Sequence, residues 1–95
     1  MAKVKVVISR VAQKQIVKIP FELIEVIQKW ILTVETIGIE NTRKQGGKGL
    51  HDEPLKGELK GLRSIRLNRS WRLYYKEIEG IPKIVSIERI DKHKY

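Results

Sequence analysis

The chain opens on a short β-branched run, Val4 to Ile8, closed by Ser9, and this pattern predicts a first strand. Ser9 carries an oxygen able to accept from the first turn of a helix. A helix is therefore expected over Arg10 to Lys18, with Val11, Ile16 and Ala12 turned inward. Pro20 opens a second helix at a position where its missing N–H costs nothing. Phe21, Ile24, Ile27, Ile31 and Val34 fall at helical spacing, Leu23, Trp30 and Ile37 widen the stripe, and Gly38 supplies a stop. From Gly38 to Pro54 the period is lost. Gly46, Gly47 and Gly49 mark a loop, although Ile39 to Gln45 has room for a helical turn or two.

Three later runs, residues 62–67, 71–78 and 83–90, are rich in Leu, Ile, Val, Trp and Tyr. Asn68-Arg69-Ser70 and Glu79-Gly80-Ile81-Pro82 separate them, as turns separate strands. The order β-α-α-β-β-β implies one α+β domain over residues 1–95, a two-layer sandwich with two helices on one face of an antiparallel sheet. Alternation assigns the faces: Ile65 and Leu67 against Ser64 and Arg66, then Trp71, Leu73 and Tyr75 against Arg72, Tyr74 and Lys76. A three-residue turn over Asn68 to Ser70 keeps both apolar sets on one side. It also sets Leu67 opposite Trp71 and Arg66 opposite Arg72.

Charge sharpens this picture. The 95 residues carry a net charge of +9, from 20 Lys and Arg against 11 Asp and Glu. Residues 43–76 hold ten basic and three acidic residues, while the flanking segments are close to balanced. Such a concentrated excess suits a polyanion, because each neutralised phosphate releases condensed counterions. Like charges directly opposite on paired strands are destabilising, by about 0.2–1 kcal/mol on the scale of cross-strand pairs. Arg66 and Arg72 beside Tyr74 therefore suggest an anion site, and the planar guanidinium fork suits phosphate. The GGKG stretch lacks Walker spacing and its terminal Ser or Thr, so it reads as a basic loop.

The absence of cysteine excludes disulfides and thiolate metal sites. The apolar run near the N-terminus is shorter than a signal peptide or a spanning helix requires. A soluble, cytoplasmic protein is expected, with no membrane partner and no small-molecule cofactor.

The stretch EPLKGELKGLRSIRLNRSWRLYY, followed by a strand and the terminal KHKY, resembles the RelE/ParE superfamily of bacterial toxins, most closely the RelE, YoeB and YafQ kinds. The resemblance covers the C-terminal half. It implies a type II toxin that cleaves messenger RNA on the ribosome and is silenced by an acidic antitoxin. By the YoeB pattern Glu53 matches the general base, Arg66 and Arg72 the phosphate-contacting arginines, and His93 the general acid. The implied reaction is attack of a ribose 2′-OH on the adjacent phosphate, without metal. In YafQ-like members a histidine precedes the same proline with an aspartate before it, so Asp52 also has a counterpart. The base is thus Asp52 or Glu53, and His51 matches neither pattern.

Further RNA contacts are expected from Lys48, Lys56, Lys60 and Arg63 as phosphate ligands, and from Tyr74 and Tyr95 as stacking partners. Lys94 separates His93 from Tyr95, a departure from the YoeB ending. Each residue also has a plainer account: Glu53 as a loop acid beside Lys56, His93 in a frayed tail, Tyr74 as an ordinary sheet residue. Two other functions share the same fold and charge. One is a ParE-like toxin acting on DNA gyrase, and the other a non-catalytic RNA-binding protein.

Overall fold

In the computed structural model, which describes residues 3–45 and 50–92, Val4–Ile8 forms strand β1. Ser9 caps helix α1, Arg10–Ile16, by accepting from the Ala12 N–H at 3.1 Å. Here the inward residue is Ala12, fully buried, whereas Val11 is 57% exposed. One residue along a helix swings a side chain by about 100°, so only one of these neighbours can face the core. Helix α2, Phe21–Ile37, buries Leu23, Ile27, Trp30 and Val34. That stripe excludes Phe21, which lies in the first turn and is exposed. Gly38, with φ at 87°, ends α2 and turns the chain into a third helix, α3, over Ile39–Gln45. Ile39 and Thr42 are buried there, so the segment belongs to the core rather than to a loop.

A two-residue strand, β2, at Glu53–Pro54 precedes β3, Arg63–Arg66, β4, Trp71–Ile78, and β5, Lys83–Lys92. The α+β sandwich stands, with five strands in the order β1-β5-β4-β3-β2 and three helices instead of four strands and two. The sheet departs from the expected antiparallel arrangement at one border, where β1 runs parallel to β5. The α1 and α2 connection between β1 and the rest of the chain carries β1 back in that sense.

Inner-face residues Ile65, Leu73, Tyr75, Val85, Ile87 and Ile90 pack with the α2 stripe, and the rings of Trp30 and Tyr75 lie 5.1 Å apart. Strict alternation along β5 cannot bury both Ile87 and Ile90. A register shift resolves this: Tyr75 pairs with Ile87 and Tyr74 with Arg89, leaving Glu88 as an extra residue in the strand. The bulge resets the phase, so Ile90 turns inward while Arg89 and Asp91 turn outward.

The sheet borders are interrupted by side chains. On β1, Glu35 of α2 accepts from the Val6 N–H at 3.0 Å, and Gln13 of α1 donates to the Ile8 carbonyl at 2.8 Å. Where β5 runs past β1, Ser9 Oγ donates to the Glu88 carbonyl and Gln15 Oε1 accepts from the Ile90 N–H. At the far border Pro54 has no N–H to offer.

Candidate active site

Register places the site. The turn from Asn68 to Ser70 has the expected geometry, with Asn68 Oδ1 accepting from the Ser70 and Trp71 N–H groups at 2.8 Å. Arg66 consequently pairs with Arg72, and Ser64 with Tyr74. Extending these pairs across the sheet gives two rows on the outer face. One holds Glu53, Ser64, Tyr74 and Arg89, and the other Arg66, Arg72 and Asp91. Glu53 and the two arginines thus share a face, although β2 itself was not expected from the sequence.

The electrostatics of that face are asymmetric. Asp91 lies cross-strand from Arg72, but its oxygens accept from Gln15 Nε2 at 2.9 Å and from Arg89. Among the described residues neither Arg66 nor Arg72 is paired with a carboxylate. Two guanidiniums held side by side without a counter-charge favour a bound anion. The Arg89 guanidinium sits 5.5 Å from the centre of the Tyr74 ring. It is a further cation on this face that the sequence reading did not single out. The three-residue spacing of Ile87 and Ile90 in a strand was the available signal, since it demands a bulge and turns Arg89 outward.

Glu53 has its side chain 45% exposed, and its Oε2 lies 3.5 Å from His51 Nε2. The His51 ring thus stands beside the candidate base.

Asp52 and Arg63 lie elsewhere. Arg63 pairs with Tyr75 on the inner face, and its Nε donates to Asp52 Oδ1 at 2.6 Å. The Tyr75 hydroxyl donates to Asp52 Oδ2, and Arg43 Nε of α3 donates to that hydroxyl at 3.2 Å. Arg43 also binds Glu77, which receives Lys83 Nζ at 2.7 Å. Burial, and after it the adjoining Asp52 carboxylate, raises the Tyr75 phenol above its ordinary value, so it remains a donor. Burial alone would raise Glu77, but hydrogen bonds from Lys83 and Arg43 outweigh it and hold the carboxyl below its ordinary value. Arg63 is thus engaged with Asp52 on the face opposite Arg66 and Arg72.

Lys56 and Lys60 are exposed on the β2–β3 connection, flanking a single 3-10 turn at Gly57–Leu59. Lys48, His93 and Tyr95 lie outside the described residues. Lys92, the last described residue, pairs with Trp71, next to Arg72 in β4. Among the described residues no cluster of His, Cys, Asp or Glu could hold a metal ion, and no helix is long and apolar enough to cross a membrane.

No protein-family model and no curated protein matches the chain by sequence. Solved structures do match by fold. The YoeB/ParE toxin from Agrobacterium tumefaciens superposes with a TM-score of 0.69 at 19% identity, covering 95% of this chain and 99% of that one. A chain of the toxin–antitoxin complex RelBE2 from Mycobacterium tuberculosis gives 0.63 at 22% identity, over 94% and 96% of the two chains. The YoeB dimer from Staphylococcus aureus gives 0.62 at 21% identity, over 99% and 100%. The chain therefore has the fold of the RelE, YoeB and YafQ toxins.

Proposed function

We propose that the protein is the toxin of a type II toxin–antitoxin pair and acts as a ribosome-dependent endoribonuclease on messenger RNA. One observation carries this reading: Arg66 stands directly opposite Arg72, both unpaired among the described residues, on the face that also presents Glu53 and Tyr74. A shared fold with toxins of toxin–antitoxin complexes supports it.

In this reading Glu53 removes the proton from a ribose 2′-OH, and that oxygen bonds to the adjacent phosphorus. Arg66 and Arg72 stabilise the charge developing on the non-bridging oxygens. His93 gives a proton to the departing 5′-oxygen. The products are a 2′,3′-cyclic phosphate and a 5′-OH end, and the reaction takes its cations from the protein rather than from a metal. Tyr74 offers a ring for base stacking, beside the Arg89 guanidinium that pairs with Asp91. Lys48, Lys56, Lys60 and Tyr95 extend the contacts to RNA in the cytoplasm. A net charge of +9 calls for an acidic antitoxin as the silencing partner.

The test is a translation reaction with purified protein and primer-extension mapping of the message. Cuts within codons are expected, and they should disappear in Glu53→Gln, Arg72→Ala and His93→Ala. Blocked DNA supercoiling with intact message would replace this reading by the gyrase alternative.

A further inference from the structure

We propose that Asp52 is a positioning residue, anchored to Arg63 and Tyr75 on the inner face so that its neighbour Glu53 is held toward Arg66 and Arg72 on the outer one. The inference rests on the reading above and settles which acidic residue of the Asp52-Glu53 pair meets the RNA.

Strand β2 has little backbone to hold it. It is two residues long, and Pro54 contributes no donor. Its register with β3 rests on two pairings, Glu53 with Ser64 and Pro54 with Arg63, bracketed by the bonds from Arg66 N–H to the Leu50 carbonyl and from Leu55 N–H to the Leu62 carbonyl. Between Leu50 and Asp52 the chain kinks at His51, whose φ of 48° is unusual for a residue with a side chain. Successive side chains of an extended segment point to opposite faces, so whatever fixes Asp52 also fixes Glu53.

Asp52 is fixed firmly. Its side chain is 9% exposed and both oxygens are engaged, Oδ1 by Arg63 and Oδ2 by Tyr75, with Arg43 behind the Tyr75 hydroxyl. A carboxylate held this way lies on the wrong face to reach a ribose. Its neighbour is half exposed on the right one.

The chain has no cysteine, so Glu53→Cys supplies a single site for a nitroxide label. One restrained spectral component is expected, and combining it with Tyr75→Phe or Asp52→Asn should add a mobile one. Tyr75→Phe keeps the ring that packs on Trp30 and removes only the hydroxyl. In the cleavage assay it should lower the single-turnover rate by roughly tenfold or more, as misplaced reacting groups do. Affinity for a 2′-deoxy RNA that cannot be cut should stay unchanged. An unchanged label spectrum in both double variants, or an undiminished single-turnover rate in Tyr75→Phe, would overturn the proposal. If the wild-type protein cuts no RNA, the nuclease reading falls, while the spectra still decide how Asp52 orients position 53.

Discussion

Two groups of cations around one sheet behave in opposite ways. Arg43, Arg63 and Lys83 each meet a carboxylate, on Glu77, Asp52, and Glu77 with Glu79. Arg66 and Arg72 stand opposite one another with no carboxylate partner among the described residues. Composition counts these five residues alike. The first group ties α3, β3, β4 and β5 together, and the second leaves positive charge facing outward. Pairing within the molecule, rather than the density of basic residues, separates the cations that build the fold from those available to a polyanion.

The contrast is broken most directly by exchanging which group is removed. Arg72→Ala should lower RNA cleavage by roughly 100- to 1,000-fold, the usual loss for one donor to a developing oxyanion. Its thermal midpoint should stay level or rise slightly, since a like-charge pair disappears. Arg63→Ala should do the reverse in stability, losing about 1–3 kcal/mol in urea unfolding because Oδ1 of the largely buried Asp52 then loses its donor. If Arg63→Ala were as stable as the parent and Arg72→Ala unfolded, the division drawn here would be wrong.

A smaller effect tests the paired group by pH. Glu77 titrates lower in the folded chain than its ordinary value of 4.5. The unfolded chain therefore takes up its proton first on acidification, and stability is lost as pH falls below that value. Glu77→Gln should flatten the acid limb of a plot of thermal midpoint against pH, and an equally steep limb would remove Glu77 from the network. The smallest change is expected of Asp91→Asn, which releases Arg89 and takes a carboxylate away from Arg72. RNA binding should tighten a few-fold at low salt, and the gain should fade as screening increases.

Much of the outer face was legible because hairpin parity is a local rule. Once Asn68 to Ser70 is recognised as a three-residue turn, the position of Arg66 against Arg72 follows from counting. The cap at Ser9 and the buried stripe through Ile27 and Val34 follow from short-range periodicity in the same way. The inner network was not legible, because Arg43, Asp52, Arg63, Tyr75 and Glu77 meet only through long-range pairing. Sequence therefore listed Arg63 with the RNA ligands and left Asp52 and Glu53 equivalent. Strand β2 was missed for a related reason: two residues, one of them proline, carry no strand periodicity. Arg89 was hidden by a single inserted residue, which makes alternation point it the wrong way.

The borders of the sheet have a consequence for how copies of the chain meet other chains. A continuous row of free backbone donors and acceptors is a template on which a foreign strand can grow. Here Glu35, Gln13, Gln15 and Ser9 occupy groups along one border, and Pro54 removes a donor from the other. Among the described residues, a foreign strand approaching either margin therefore meets backbone groups already engaged by side chains, or a missing donor, and the ladder it could form is shortened.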